Sequence, residues 1–465
     1  MSGVRLLVIL HPGRVTRHAM LSLADAARGL GVLGGTIEAG PIWDRITRAG
    51  AGHVQERLAI ARELEGLCRR ERVTHAVGYV GNLTFDFGLF PPTAGREADG
   101  PTGLFPSLGV RHLMLWTDHP EWAQSGAALD DPYRRLLAHP MHTHFVKSRC
   151  AAFECSEWVL GWKHVHAIDM AEDPALLRPA RVSPAASDAV IIQSDAVPVP
   201  EAAARFLHED DPDPAEITHA MLPEARGAWS GGAGRVIGDR EASERLFDAW
   251  TSAKLGDVHA GLATLACSLD ERHAPALAAL RASPRAWYGA VTALRRLTLW
   301  RRSFWPAWLA RRRAVELHGG TAPAPELASS HAGWVDYSRQ AEVYGRGAAC
   351  VTINAAHDEE GMTHKAFQIA ASAGALVHHR TAGLEAAFDV GTEALAFERG
   401  PELLDAVDRV RGSDAERARL GDAGRARLER SHTWRQRLIQ MLELSRRDAA
   451  RPSATPAERV TAPAA

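Results

Sequence analysis

Short apolar runs alternate with amphipathic stretches along most of the chain. Val4-Arg5-Leu6-Leu7-Val8-Ile9-Leu10 is almost continuously apolar and rich in branched side chains, and His11-Pro12-Gly13 ends it. Such a run predicts a strand buried on both faces of a parallel sheet. The texture recurs at His75-Ala76-Val77-Gly78-Tyr79-Val80, at 110–116 leading into Thr117-Asp118-His119-Pro120, at His144-Phe145-Val146 and at Val165-His166-Ala167-Ile168. Helical spacing fills the intervals: 19–30, closing on Gly29 and Gly31, and 53–70, with Leu58, Ile60, Ala61, Leu64 and Leu67 on one side. Strands alternating with helices predict a parallel sheet covered on both faces.

Over 202–313 the texture changes to Ala, Leu, Arg and Trp at helical spacing, clearest at 241–254 and 274–281, with few strand signals. This predicts a helical insertion. Trp300, Trp305 and Trp308 stand there among Arg301, Arg302, Arg311, Arg312 and Arg313. That mixture fits a nucleic-acid or membrane surface, or a helix packing its aromatics on the body; the large apolar area of tryptophan favours packing. Alternation resumes at 314–320, at Cys350-Val351-Thr352-Ile353-Asn354, in a helix over 363–373 closed by Gly374, in the strand Ala375-Leu376-Val377-His378, and in helices over 402–410, 414–429 and 432–445. Past Arg446 the Pro-, Ala-, Ser- and Thr-rich tail lacks a core pattern and is expected to be disordered. The division is 1–180, 181–313, 314–446 and a 447–465 tail. Two such parallel sheets facing a cleft enclose a ligand and exclude water.

With 465 residues, two or three domains are expected. Lys+Arg of 54 against Asp+Glu of 56 leaves a net charge of -2, which removes the electrostatic case for a nucleic-acid partner. No apolar run is long enough for a transmembrane helix, and the opening Met1-Ser2-Gly3-Val4-Arg5 predicts no signal peptide. Five scattered cysteines suit neither a disulfide framework nor a zinc knuckle, so a cytoplasmic protein with free thiols is expected. His139, His142 and His144 fit no helical metal motif, and no third ligand joins the two that share a strand face, so no metal is expected. No strong Asp-x-Asp stands on a strand end: Asp130-Asp131 and Asp210-Asp211 lie in loop-like settings.

The most informative stretch is Asn354-Ala355-Ala356-His357-Asp358-Glu359-Glu360-Gly361-Met362, a polar loop between a strand and the helix expected from Thr363. The free N–H groups and positive dipole end of that helix suit a diphosphate. Glu360 would repel phosphate, but could accept hydrogen bonds from the hydroxyls of an attached sugar. Lys365 in the first turn could supply the counter-charge, and Gln368 lies about one turn beyond it. Thr381-Ala382-Gly383-Leu384-Glu385 repeats the order of strand, glycine loop and helix. Each residue also has an ordinary reading: solvated loop for Glu360, surface cation for Lys365, packing for Gln368, turn capping for Asp118 and His119. His11 and Gly13 fit a simple turn as well as a ligand approach, and His432 fits capping or packing.

Together, Glu360-Gly361, Lys365-Ala366-Phe367-Gln368, Ala373-Gly374-Ala375-Leu376-Val377, Gly383-Leu384, Gly391-Thr392-Glu393, Gly424-Arg425 and Ser431-His432-Thr433-Trp434 with Arg437 resemble the C-terminal domain of retaining GT-B glycosyltransferases. Among these the chain is most similar to family-1 enzymes related to CgeB. In the first half, Trp116-Thr117-Asp118-His119-Pro120, Leu160-Gly161-Trp162 and Ala171-Glu172-Asp173-Pro174 add to the resemblance. It implies an α/β GT-B fold: an acceptor-side domain over 1–180, the start of the second domain plus the insertion over 181–313, and a nucleotide-sugar-binding domain over 314–446. It further implies transfer of a sugar from a nucleotide-diphosphate donor, a co-substrate with no further cofactor, to an acceptor hydroxyl, with retention and without metal. The acceptor class (protein, glycan, lipid or small molecule) stays open. Glu360, Asp118 and His119 are then the catalytic candidates. Gly361, Met362, Thr363, Lys365, Gln368, Gly383 and Leu384 are the donor-binding candidates. At the Gln368 position the family usually has a ribose-binding glutamate; an amide still bonds a diol. Where the family often has arginine, Lys365 keeps the charge without the fork. A non-catalytic nucleotide-sugar-binding protein, a nucleotide-sugar epimerase, and an interaction protein docking through its Trp/Arg-rich insertion are the competing readings.

Overall fold

β1 (Leu6–Leu10) is buried along its whole length because it lies inside a sheet whose two faces are both covered. It pairs with β2 (Leu33–Glu38) and β3 (His75–Tyr79), and the sheet continues through β4 (Arg111–Leu115), β5 (His142–Val146) and β6 (Val165–Ala167) in the order β2-β1-β3-β4-β5-β6. A second sheet holds β7 (Ser187–Ile192), β8 (Val315–His318), β9 (His331–Gly333), β10 (Gly347–Thr352), β11 (Leu376–His379) and β12 (Leu395–Phe397) in the order β12-β11-β10-β7-β8-β9. All pairings are parallel. These are the two Rossmann-like sheets of the GT-B arrangement. The computed structural model describes residues 3–50, 53–79, 103–121, 126, 128–131, 133–193, 197–319 and 325–450; Val80, Gly320 and the tail beyond 450 lie outside them.

The second sheet reverses its winding between β7 and β10. The crevice beyond the carboxyl ends at that point is where doubly wound sheets take ligands. The loop after β10 therefore starts at the switch point. It also meets the first lobe: Lys147, next after β5, ion-pairs with the buried Asp358 of that loop. The carboxyl ends of the two sheets thus face each other.

The insertion joins β7 to β8. Its longest helix, Pro284–Ala310, starts with Ser283 as N-cap and proline in the first turn, a favourable pairing because proline lacks the N–H that would be unsatisfied there. Trp305 and Trp308 are fully buried and Trp300 nearly so, which settles the packing reading over a surface for docking. The insertion also seats on the first lobe: Arg281 donates to the Trp158 carbonyl at 2.9 Å with its guanidinium 3.6 Å from the indole centroid, and Trp287 Nε1 donates to Glu154 at 3.1 Å.

β2 and the following helix, Ala39–Ala49, escaped the sequence reading. β2 is an edge strand with two glycines and only partial burial, so it carries no apolar run. The helix expected over 19–30 begins at Arg14, and the one expected over 363–373 is shorter, His364–Ala371, with Thr363 as its N-cap. The final helix, Trp434–Ala450, packs back on the first lobe against β5 and the helix Arg14–Gly29. It overruns the expected tail start at 447 because Asp448 accepts from His166 Nε2 at 2.9 Å.

His144 and His432 pack within the structure. His144 stacks on Trp162 at 4.1 Å and accepts from Trp116 Nε1 at 3.1 Å. His432 packs on Phe367 and Phe388. Cys68, Cys150, Cys155 and Cys350 are buried thiols, and Cys267 is exposed.

Candidate functional site

Asn354, fully buried at the end of β10, organises the loop that follows. Its Nδ2 donates to the Glu359 and Gly361 carbonyls at 2.9 and 2.8 Å, and its Oδ1 accepts from Thr363 N at 3.0 Å. Held in this way, Glu359 adopts a left-handed backbone, φ 44, a conformation costing roughly 1–2 kcal/mol for a residue with a Cβ. Two glycines permit the close packing around it. A Cβ on Gly361 would lie 2.8 Å from the Lys147 carbonyl of the first lobe, and one on Gly383 would lie 2.4 Å from the Gly361 carbonyl. Gly383 N donates to the Glu360 carbonyl at 2.8 Å, so the second glycine loop braces the first.

Glu360 crosses the cleft. Its Oε1 accepts from Cys150 N at 2.7 Å, in the first turn of the short helix Arg149–Phe153 that follows β5. Its Oε2 is buried and has no hydrogen-bond partner among the described residues. Burial, followed by the neighbouring Glu359 charge, pushes the Glu360 carboxyl up to about 7. Cys150 Sγ, Glu359 and Glu360 place ligand atoms within 4.8 Å of one another, the group among the described residues that could hold an ion. Two of its members already hold protein partners: Glu360 bonds Cys150 N, and Glu359 bonds Arg295.

Arg295, on the long insertion helix, ties both lobes together. Its guanidinium reaches Glu121 and Glu154 of the first lobe, each at 3.0 Å, and Glu359 of the second at 3.2 Å, with all four side chains buried. Burial alone would raise the Glu154 carboxyl; the Arg295 charge and the His119 hydrogen bond instead hold it at about 2. His119 is engaged there, Nε2 to Glu154 at 2.9 Å, with Nδ1 facing Glu121 N at 3.5 Å and the ring 5.0 Å from Tyr288. Through this pairing it joins the buried network. Asp118 is half exposed at the rim, 4.0 Å from His357 Nε2. Burial pushes the His357 imidazole down to about 3, and Lys147 Nζ lies 3.2 Å from its Nε2.

At the helix start, the N–H groups of His364 and Lys365 have no helical carbonyl to donate to. Burial, then the charge of the buried Arg302, lowers the Lys365 amine to about 8 against the opposing pull of Glu172. Gln368 is buried with Oε1 unpartnered among the described residues, as is Nε2 of the buried Gln193 immediately after β7. Gln193 follows β7 and Gln368 lies on the helix after β10, the two strands at the switch point. The side chains of Met362 and Leu384 are buried in the core, and Leu384 N donates to Thr381 Oγ1 at 3.1 Å. Glu172 accepts from Tyr337 OH at 2.5 Å and pairs with His364 at 3.1 Å, joining the lobes behind the helix.

Glu360, Gly361, Thr363 and Gly383 thus meet at the loop after β10, Lys365 and Gln368 stand on the helix that follows it, and Asp118 approaches that loop at His357. Arg295, Glu154, Lys147, Cys150 and Asn354 went unread as site residues. Lys147 alone carried a signal, being one of four lysines in the chain and directly following a strand.

Residues 295–443 match the family described as glycosyl transferase-like. The chain carries a glycosyl transferase-like domain. The matched stretch starts at Arg295 and includes Glu360, Lys365, Gln368 and Gly383. Solved structures match the chain at low identity and with TM-scores below 0.5. Sucrose-phosphate synthase from Thermosynechococcus elongatus is 12% identical, with 96% of this chain and 99% of that one covered at a TM-score of 0.45. An Anabaena protein, HepE, solved in complex with UDP and glucose, is 8% identical over 95% and 99% at 0.43. The α,α-trehalose-phosphate synthase (UDP-forming) of Burkholderia vietnamiensis is 12% identical over 96% and 100% at 0.40. No curated protein matches this chain. Among the described residues, no helix is long and apolar enough to cross a membrane.

Proposed function

We propose that this glycosyltransferase moves a sugar from a nucleotide-diphosphate donor to an acceptor hydroxyl, with retention, without a metal, and in the reducing cytoplasm that its unpaired thiols suit. The reading includes a place near CgeB-related members of the family. The observation that carries it is the helix that opens after the loop following β10, with Lys365 in its first turn and the buried Glu360 Oε2 and Gln368 Oε1 without a partner among the described residues. The open helix start and the Lys365 amine in its first turn suit an anion. A departing diphosphate accumulates charge where those donors converge, which stabilises the transition state. Gln368 and Gln193 then offer unpartnered amide groups to the nucleoside. Glu360 Oε2 offers an acceptor to the sugar hydroxyls, while Oε1 stays on Cys150 N. With His119 engaged by Glu154, the leaving phosphate is the base that takes the acceptor proton, consistent with retention.

Isothermal titration of the full chain with UDP and GDP, followed by donor turnover, tests the reading. One of the two is expected to bind, and Glu360→Ala is expected to lose turnover far more than nucleotide affinity. Folded protein that binds no nucleotide refutes the proposal. Binding without hydrolysis or transfer across a broad acceptor panel would instead establish a non-catalytic binding protein.

A further inference from the structure

The segment from Lys147 to Cys150 in the first lobe clasps the loop after β10. Lys147 Nζ pairs with the Asp358 carboxylate and lies 3.2 Å from His357 Nε2. A Cβ on Gly361 would stand 2.8 Å from the Lys147 carbonyl and 3.1 Å from Ser148 Cβ, so the two backbones touch there. Ser148 Oγ accepts from Ala151 N at 3.0 Å, which leaves the preceding N–H, that of Cys150, to donate to Glu360 Oε1 at 2.7 Å.

The ion pair is a costly way to join two lobes. The Asp358 side chain is 1% exposed and that of Lys147 is 11% exposed. Burying both charges costs about what their attraction returns, so such a pair supplies register rather than net stability. Register is what this contact needs. With no room for a Cβ at Gly361, a slip of either backbone would make the two clash or part, and Glu360 would lose Cys150 N. Within its own lobe the loop is held by its backbone: Asn354 Nδ2 bonds the Glu359 and Gly361 carbonyls, and Gly383 N bonds the Glu360 carbonyl. We infer that Lys147 is a positioning residue: through Asp358 it sets the register of this loop against the first lobe, and so fixes where the Glu360 carboxylate stands for the donor sugar. Its effect on turnover rests on the transferase reading above, whereas the placing of Glu360 can be tested without a nucleotide.

Lys147→Met combined with Asp358→Asn tests this, since removing both charges together leaves neither buried alone. Glu360→Gln, added to this double variant and to the parent, reports where the carboxyl stands. In the parent, the Tm advantage from Glu360→Gln is expected to grow by about 3 °C between pH 5 and pH 8, because the folded chain raises that carboxyl to about 7 and its ionisation weakens the fold. In the double variant the carboxyl is expected to swing into water, and the growth should fall to about 1 °C or less. With Glu360 intact, the double variant should turn over donor at about a tenth of the parent rate or less, while binding UDP or GDP within about twofold of the parent. A growth that stays at the parent value or exceeds it overturns the inference, as does parent-level donor turnover in the double variant. A parent that binds or turns over no nucleotide donor removes the transferase reading, and the melts alone then decide the role of Lys147.

Discussion

Glu360→Gln should make the ligand-free protein more stable at high pH while removing its activity. The Glu360 carboxyl is raised to about 7 from an ordinary value of 4.5, chiefly by burial and then by Glu359. A carboxyl raised in the folded state favours the protonated form, so ionising it weakens the fold. The penalty begins as pH rises past 4.5, where the unfolded chain ionises, and levels off above 7. At about 1.4 kcal/mol per unit, the parent loses about 2–3 kcal/mol from this group between pH 5 and pH 8. Glutamine keeps an oxygen for Cys150 N and carries no charge at either pH. Any fixed difference between amide and acid cancels when the two proteins are compared across pH. The gap in stability, variant over parent, should therefore widen by about 2–3 kcal/mol over that range. At about 2.1 cal/mol/K per residue, it amounts to about 3 °C in Tm for unfolding of the whole chain. Thermal melts of both proteins at pH 5, 6, 7 and 8 measure it. A gap that stays constant, or narrows with rising pH, would refute the account of Glu360 as a desolvated carboxylate beside a second one.

Arg295→Ala should cost about 3–5 kcal/mol at neutral pH, because it leaves Glu121, Glu154 and Glu359 buried without their shared cation. Glu154 is held at about 2, below its ordinary 4.5, so its pairing contributes stability above about pH 4.5 and loses it as pH falls toward 2. The deficit of the variant should accordingly shrink in melts below pH 4.5, and a deficit independent of pH would contradict the pairing. Gly383→Ala puts a methyl 2.4 Å from the Gly361 carbonyl and should destabilise by about 1–3 kcal/mol while weakening donor turnover. An unchanged Tm in a melt would show that the two glycine loops do not brace each other.

Much of the architecture was local and so could be read in one dimension. Leu6 to Leu10 reads as a buried strand because no partly solvated element accommodates such a run, and the strand read over Cys350 to Asn354 is found at Gly347–Thr352, three residues earlier at its start. The loop 354–362 followed by a helix likewise placed Glu360, Lys365 and Gln368 near one helix start from spacing alone. β2 could not be seen in this way, since a glycine-rich edge strand is defined by its pairing with β1 rather than by its own hydrophobicity.

What tertiary structure decided was the partners. Cys150 stands 210 residues from Glu360, and Glu121 stands 174 from Arg295, so no periodicity connects them. Arg295 and Arg296 are neighbours on an arginine-rich helix and look alike in sequence. Folding sends the first into a buried knot of carboxylates and leaves the second exposed, because successive residues on a helix point about 100° apart. An apolar side chain announces its burial by its own chemistry, whereas the role of a charge depends on what the fold places opposite it.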